Sequence, residues 1–423
     1  MGRAIGRHRG RTVRRGGARA LLSAVWALTA LTAVNCRCND IEQPEPPVIQ
    51  DVPIVRVLLT AAAADEVRVG TTGGYSLQAD GRTVAEADEA LAPVTVRHQS
   101  GGWRVGPWRA AGRELVVRPA PGRFVRFDGV TYRGWLRLVP ADGGRLLAIN
   151  HVDVEGYLAG VLAKELYRTW APATYRALAV AARTFALYHM TTSGVGKEYD
   201  LGSTQASQVY GGLPGETSRS REAVRHTHGT VLAYGPDGQE RIFLAQYSAC
   251  CGGRVNGAYV IRKARLVPPL RGGQVCTDCR ACRRYRWGAV RIAKSDIHRA
   301  LVARYGAAAR LGGLSAIRVQ TTTPHGRAVW VDAVGPTGQK VRLRAEDIRL
   351  ALLFGGVPAA KGLYSMNCRL VDRGGSIEFA DGRGFGHGVG LCQWGAQGKA
   401  MRGWTAEQIL QFYYPGAKLY RVH

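Results

Sequence analysis

EGYLAGVLAKEL, residues 155–166, carries apolar residues at helical spacing and then puts a carboxylate where the pattern asks for another apolar group. At 3.6 residues per turn Leu158, Val161, Leu162 and Glu165 share one face, while Lys164 points elsewhere. A carboxylate on the packed face of a helix is partly desolvated, which disfavours its ionised form and raises its pKa. A group that keeps its proton near neutral pH has what general acid catalysis needs. A salt-bridged structural glutamate fits the same periodicity, so both readings stand at this point.

Working outward, Trp170-Ala171-Pro172 marks the start of a second helix, because proline is tolerated in a first helical turn. The run YRALAVAARTFALYHM follows, apolar or small on every side from Ala177 to Tyr188 except at Arg183 and Thr184. A helix that is apolar all round is a buried helix. Arg183 is then a buried cation in need of a partner, since an unpaired buried charge is very costly. Two helices joined by a short proline turn predict an ion pair between Arg183 and the inward Glu165.

The first 35 residues read as a secretory signal sequence. Seven arginines and no acid occupy Met1–Arg19, and an apolar run too short for a membrane span follows to Val34. Cys36 stands where a lipoprotein cysteine would, although the Val-Asn before it departs from the usual small-residue pair. Export to the periplasm or cell envelope is expected, with membrane or lipid anchoring through the N-terminus as a variant of it. Formal charge is +27 with 58 basic against 31 acidic residues, and discounting the seven leader arginines leaves +20. Such a surface attracts polyanions. An exported chain rarely meets nucleic acid, and no zinc-finger, helix-turn-helix or RRM pattern is present, so nucleic acid is not expected as a partner. Anionic headgroups or carboxylate-bearing glycan strands suit the compartment better.

Nine cysteines, Cys36, Cys38, Cys250, Cys251, Cys276, Cys279, Cys282, Cys368 and Cys392, make disulfides the default in an oxidising compartment. Cys276-x-x-Cys279-x-x-Cys282 also has spacing compatible with zinc or an iron–sulfur site, but no fourth ligand follows at a diagnostic distance. No metal or other cofactor is expected.

The fold class expected is α+β. Residues 36–53, with PEPP at Pro44–Pro47, form a linker, and 54–150 show short alternating runs broken by Gly, Asp and Pro, the pattern of a β-rich N-terminal part. Helices dominate from about 153 to 192, and strands resume at Thr230–Tyr234 and Ile242–Tyr247. Residues 261–286 are basic and cysteine-rich and read as a surface excursion. The part from 287 to 423 has a helix near Lys294–Tyr305, strands around Ala316–Val319 and Ala328–Val334, and a glycine-rich segment closing the groove. That segment, GRGFGHGVG at 382–390, puts Arg383, Phe385, His387 and Val389 on one face if extended, with bare backbone on the other. Interior strand glycines mark close approach by another backbone or a ligand. The spacing is not that of a nucleotide loop. Trp394 between Gln393 and Gln397 is a weak sugar-binding signal. No G-x-S-x-G elbow or H-E-x-x-H helix appears, and no obvious second carboxylate accompanies Glu165. Ordinary glycoside hydrolysis usually uses two; a reaction whose nucleophile belongs to the substrate needs one.

Six blocks in order, DVEGYLAGVLAKEL (153–166), ALAVAARTFAL (177–187), SQVYGG (207–212), YSACCGG (247–253), GRGFGHGVGLCQWGAQG (382–398) and FYYPGA (412–417), resemble the stage II sporulation protein D and amidase enhancer family (SpoIID/LytB). The resemblance spans about 54 to 420 and implies that 151–260 is the catalytic core. Members characterised as enzymes are lytic transglycosylases of peptidoglycan glycan strands, in particular strands stripped of stem peptides; others enhance a cell-wall amidase. It implies that Glu165 is the catalytic acid/base, with Leu166 in place of the family's Met, and that Arg183 and Tyr247 orient substrate or Glu165. The other blocks offer Gln208, Tyr210, Ser248, His387, Gln393 and Trp394 as substrate-binding residues. Some members carry Cys/His metal ligands before the Q-V-Y element, whereas Gly202–Gln208 contains neither, so zinc is not expected there. Arg183 facing a lactyl carboxylate of the strand is the alternative to its pairing with Glu165.

Overall fold

The computed structural model describes residues 51–423, apart from 61, 100, 205–206 and 262–266. The signal sequence, nearly all of the 36–53 linker, Cys36 and Cys38 lie outside the described residues. Within them the architecture is α+β, as expected. Among the described residues no helix is long and apolar enough to cross a membrane.

The alternating runs of 54–153 fold into two sheets. One has the strand order 201–202, 54–58, 146–153, 135–140, 115–119, 75–79, 82–87, and the other 130–132, 125–127, 67–71, 94–99, 102–105, 108–111. Their inward positions, among them Val55, Val57, Val69, Leu115, Leu136 and Leu138, are fully buried, which is what period-two alternation builds. Strand Leu146–Asp153 leads directly into helix α1 (Val154–Glu165), where the Asp153 side chain accepts the Gly156 N–H at 2.6 Å and caps the helix. Leu166 turns extended and ends it. Helix α2 (Pro172–Thr191) has no side-chain cap of its own at Ala171. Gln397, more than 200 residues on, accepts from the Ala171 N–H and the Thr174 hydroxyl, each at 2.9 Å. Helix α3 (Ser218–His226) starts in a capping box between Thr217 and Ser220.

A second core is built from helices α4 (Lys294–Arg304) and α5 (Ala345–Phe354) and two three-stranded sheets, one of strands 316–322, 328–334 and 340–344 and the other of strands 290–293, 376–380 and 369–372. The chain then returns to the first core through the glycine tract, helix α6 (Gln393–Ala400) and helix α7 (Ala406–Tyr413). Helices α1, α3, α6 and α7 and strand Thr230–Tyr234 all pack on α2. Every residue of α2 from Ala177 to Leu187 is buried.

Arg183 is fully buried within that helix, but its partner is Glu155. The guanidinium donates to both Glu155 oxygens, at 2.7 and 2.6 Å, and to the Thr230 carbonyl at 2.9 Å. Glu155 also meets the His423 ring at 2.9 Å and accepts the Gly229 N–H at 3.3 Å. The expected Arg183–Glu165 pair is therefore corrected: the two carboxylates sit at opposite ends of α1, and Arg183 emerges beside the first turn.

Three further expectations change. The strand read across Ile242–Tyr247 is broken, because Arg241–Ile242 pairs with Ala233–Tyr234 whereas Tyr247–Ser248 pairs with Leu391–Cys392; the buried Phe243, Leu244 and Ala245 carry the chain between the two ladders. The glycine tract is extended only at Gly382–Arg383. Beyond it Gly384, Gly386, Gly388 and Gly390 all take positive φ, so the tract winds along residues 246–256. A Cβ at Gly390 would stand 1.9 Å from the Gln246 carbonyl oxygen, which gives the close backbone approach its reason. Finally, the excursion expected over 261–286 keeps many exposed residues, but its cysteines are tied into the first core. Cys276, Cys279 and Cys282 are buried, Asp278 bonds Lys399 of α6 at 3.0 Å, and no disulfide joins the seven described cysteines.

The Arg183–Glu155 pair sets a stability test. Arg183→Leu leaves Glu155 buried without its cation and is expected to lower the unfolding free energy by about 3–5 kcal/mol. Glu155→Leu combined with Arg183→Leu is expected to recover much of that loss. Urea denaturation of the three proteins measures both, and a double variant no better than the single one would contradict the account.

Candidate active site

Glu165 is the last residue of α1. The face it shares has the predicted composition, since Leu158, Val161 and Leu162 are fully buried and Lys164 is exposed. Its own side chain is half-buried. One carboxyl oxygen accepts the Val209 N–H at 3.2 Å and the other accepts the Gln393 side-chain amide at 3.0 Å. Burial pushes the Glu165 pKa above its ordinary value, and the two hydrogen bonds, which favour the ionised form, offset only part of that. The helix dipole acts in the same direction as burial, because the negative end of α1 disfavours further negative charge.

The S-Q-V-Y block works through alternate residues. Gln208 is fully buried. Its carbonyl accepts the Tyr157 hydroxyl at 2.9 Å, and its amide donates to the Tyr247 hydroxyl at 3.0 Å and to the Ala182 carbonyl at 3.3 Å. Val209 supplies the backbone donor to Glu165. Tyr210 is buried, donates to Asn150 at 3.0 Å, and lies between Tyr132 and Tyr157 with ring centroids at 5.5 and 5.0 Å. Gln208 and Tyr210, expected to contact substrate, are buried with their polar groups engaged by Tyr157, Tyr247, Ala182 and Asn150.

Tyr247 lies beside the acid. Burial and then the nearby Glu165 carboxyl hold its phenol far above the ordinary value, so it is a neutral hydroxyl at any relevant pH. Since Gln208 donates to its oxygen, the Tyr247 hydroxyl hydrogen is left for another acceptor. Ser248 is buried and accepts the Gly388 N–H at 3.1 Å, tying the glycine tract to the core. His387 accepts the Val389 N–H on Nδ1 at 3.0 Å, which leaves its proton on Nε2. Burial lowers its pKa to about 4, so it is neutral at pH 7 and acts as a structural support of the tract, as does the Arg327 guanidinium that bonds the Gly386 carbonyl at 3.3 Å. Arg183, paired with Glu155, does not reach the acid.

Gln393 is buried at the start of α6 with its amide on Glu165. The adjacent Trp394 is half-buried and meets Trp170 and Tyr167 at centroid distances of 5.0 and 5.7 Å, with Tyr167 and Trp170 5.2 Å apart. Tyr167 is 61% exposed. An aromatic surface thus starts two residues from the acid, and neither Tyr167 nor Trp170 was singled out from sequence. The signal was present, since both follow the end of α1 in a loop too short to leave the neighbourhood. Glu165, Tyr247, Gln393 and Trp394 are brought together; Arg183, Gln208, Tyr210, Ser248 and His387 hold parts of the frame. Among the described cysteines, the Sγ atoms of Cys251, Cys276, Cys279 and Cys392 lie within 4.8 Å of one another, and Cys392 directly precedes Gln393.

Residues 142–234 match the SpoIID stage II sporulation protein family. An uncharacterized protein of Brachyspira hyodysenteriae is 29% identical over 292 residues, covering 69% of this chain and 73% of that one. Stage II sporulation protein D of Bacillus subtilis is 28% identical over 288 residues, 64% of this chain and 76% of its own. An amidase enhancer of Bacillus subtilis is 25% identical over 298 residues, 62% of this chain but 40% of that longer protein. The matched stretch carries α1, α2 and the Q-V-Y element with Val209, one of the two groups on Glu165, so this chain contains a SpoIID domain and is similar over about two thirds of its length to members of the SpoIID/LytB family.

Proposed function

We propose that this protein is a lytic transglycosylase of the cell wall, cleaving linkages between N-acetylmuramic acid and N-acetylglucosamine in glycan strands, in particular those stripped of peptides. The SpoIID domain and the similarity to these relatives support a cell-wall-related role. The observation that carries the finer reading is Glu165: a carboxyl with raised pKa, held by Gln393 and the Val209 amide and flanked by an aromatic surface.

In this reading protonated Glu165 gives its proton to the glycosidic oxygen as the C1–O bond breaks, releasing the N-acetylglucosamine 4-hydroxyl. The muramoyl 6-hydroxyl attacks C1, and the ionised Glu165 takes that hydroxyl's proton. The product is a 1,6-anhydro sugar, no water is consumed and the enzyme returns protonated. Tyr247 offers its free hydroxyl hydrogen to the sugar or to the ionised carboxylate. The +20 surface suits a strand bearing one lactyl carboxylate per disaccharide.

The amidase enhancer among the relatives favours a second reading, a non-catalytic glycan binder that stimulates a cell-wall amidase. Mass spectrometry of the products from peptide-stripped peptidoglycan separates the two. The wild-type protein is expected to release 1,6-anhydro ends, and Glu165→Gln to lower the rate about 10²–10⁴-fold. If neither protein yields product while both sediment equally with the strands, the enzyme reading fails and the binder replaces it.

The raised pKa also predicts a stability signature. A carboxyl whose folded pKa exceeds its unfolded one contributes stability below the unfolded value and loses it as pH rises through the folded value. Glu165→Gln is therefore expected to raise the melting temperature at pH 8 relative to wild type, with the gap closing as pH falls towards 4. A gap that widens on acidification would show a lowered pKa.

A further inference from the structure

We propose that Cys251, Cys276, Cys279 and Cys392 form a tetrahedral site for one thiophilic divalent cation, zinc by preference, which clamps the glycine tract and Gln393 to the core. All four side chains are buried, and their sulfurs lie within 4.8 Å of one another. Cys251 and Cys279 have Sγ atoms 3.7 Å apart. Four zinc–sulfur bonds of about 2.3 Å in a tetrahedron set the sulfurs about 3.8 Å from each other, whereas a disulfide needs about 2.05 Å. The grouping is also too tight for a polynuclear iron–sulfur cluster, whose cysteines are shared among separate irons.

The surroundings are those of thiolates. Cys392 accepts the backbone N–H groups of Cys251 and Gly395, at 3.2 and 3.3 Å, and the Tyr413 hydroxyl lies 3.1 Å from the Cys276 sulfur. Donors of this kind orient and stabilise metal-bound sulfur. Gly395 permits the approach of α6, since a Cβ there would sit 2.5 Å from the Cys276 sulfur. Sequence spacing offers Cys276 and Cys279 as a Cys-x-x-Cys pair but no fourth ligand. The fold supplies Cys251 from one side and Cys392 from the other, and leaves out Cys282.

The consequence for the active site is direct. Cys392 precedes Gln393, the donor to Glu165, and pairs in parallel register with Ser248 next to Tyr247. One ion would thus fix the separation of two residues that flank the acid. The assignment does not depend on the reaction proposed above, because it concerns metal content and thiol state.

Full-length protein purified without chelator or reductant is expected to hold about one zinc per chain by elemental mass spectrometry. A mercurial thiol reagent should release it, and Co²⁺ in its place should give sulfur-to-cobalt charge-transfer absorption with tetrahedral ligand-field bands. Cys392→Ser is expected to lose the metal, while Cys368→Ser, in the second core, keeps it. If Cys392→Ser does not fold, the cobalt spectrum and thiol titration of the unmutated protein decide. Disulfides joining any two of the four by peptide mapping, or less than about a tenth of an ion per chain, would overturn the site, and iron found in place of zinc would overturn the choice of metal.

Discussion

The constraint on which this fold depends is the complete enclosure of α2. A helix that is apolar or small on every side has no face for solvent, so each side must be covered by another segment. Helices α1 and α3 and strand Thr230–Tyr234 cover it from nearby in sequence, and α6 and α7 arrive from the far end of the chain. That demand brings Gln393 to Glu165 and Gln397 to the uncapped start of α2. The candidate site follows in part from closing one helix: Gln393, which meets Glu165, sits on an element that covers Ala177–Leu187, while Val209 reaches Glu165 from a loop.

Local periodicity was enough to place α1, α2 and the inward position of Glu165, because each is a statement about neighbours within two turns. The β-rich part was equally legible, since alternation in strands such as Ile54–Leu58 and Trp135–Pro140 records which face is buried. What failed was partner choice. Arg183 had two acids on one helix to choose from, and sequence does not say that it surfaces beside the first turn. Gln208 and Tyr210 look polar enough to touch a ligand, yet the amide is consumed by Tyr157, Tyr247 and Ala182, and the phenol by Asn150. Sequence leaves open whether the glycine tract is extended throughout, because alternation in a sequence cannot distinguish period-two pleating from alternate left-handed residues. Only the backbones it must clear, such as the Gln246 carbonyl, decide that. The cysteines failed for a related reason: ligands 141 residues apart have no spacing to recognise.

The glycine tract is held from both sides. Towards the first core Ser248 and the Gln246 carbonyl fix it, and towards the second core Arg327 bonds Gly386 while sharing the buried Glu346 with Arg349. Burial opposes ionisation of Glu346, but the Arg349 and Arg327 charges outweigh it and lower its pKa to about 2. The same positive groups, added to burial, keep His387 neutral. The second core thus touches the tract through Arg327 and the charges around His387, without lending a residue to Glu165 itself.

Helix α1 carries two glutamates whose pKa values are driven in opposite directions. Glu155 and Glu165 are the same side chain on the same helix, and their environments drive them apart. Burial alone would raise Glu155, but Arg183 outweighs it, together with His423, the Gly229 amide and the positive end of the helix dipole, and its pKa falls. Glu165 has the negative end of that dipole, no cation on its oxygens and two neutral donors, and its pKa rises. Two groups pushed in opposite directions by position are the usual sign that their roles have been divided. Here the division follows from length: the ten-residue separation between Glu155 and Glu165 at 1.5 Å rise puts the two about 15 Å apart along the axis, far enough that the arginine which lowers one carboxyl's pKa leaves the other's raised by burial.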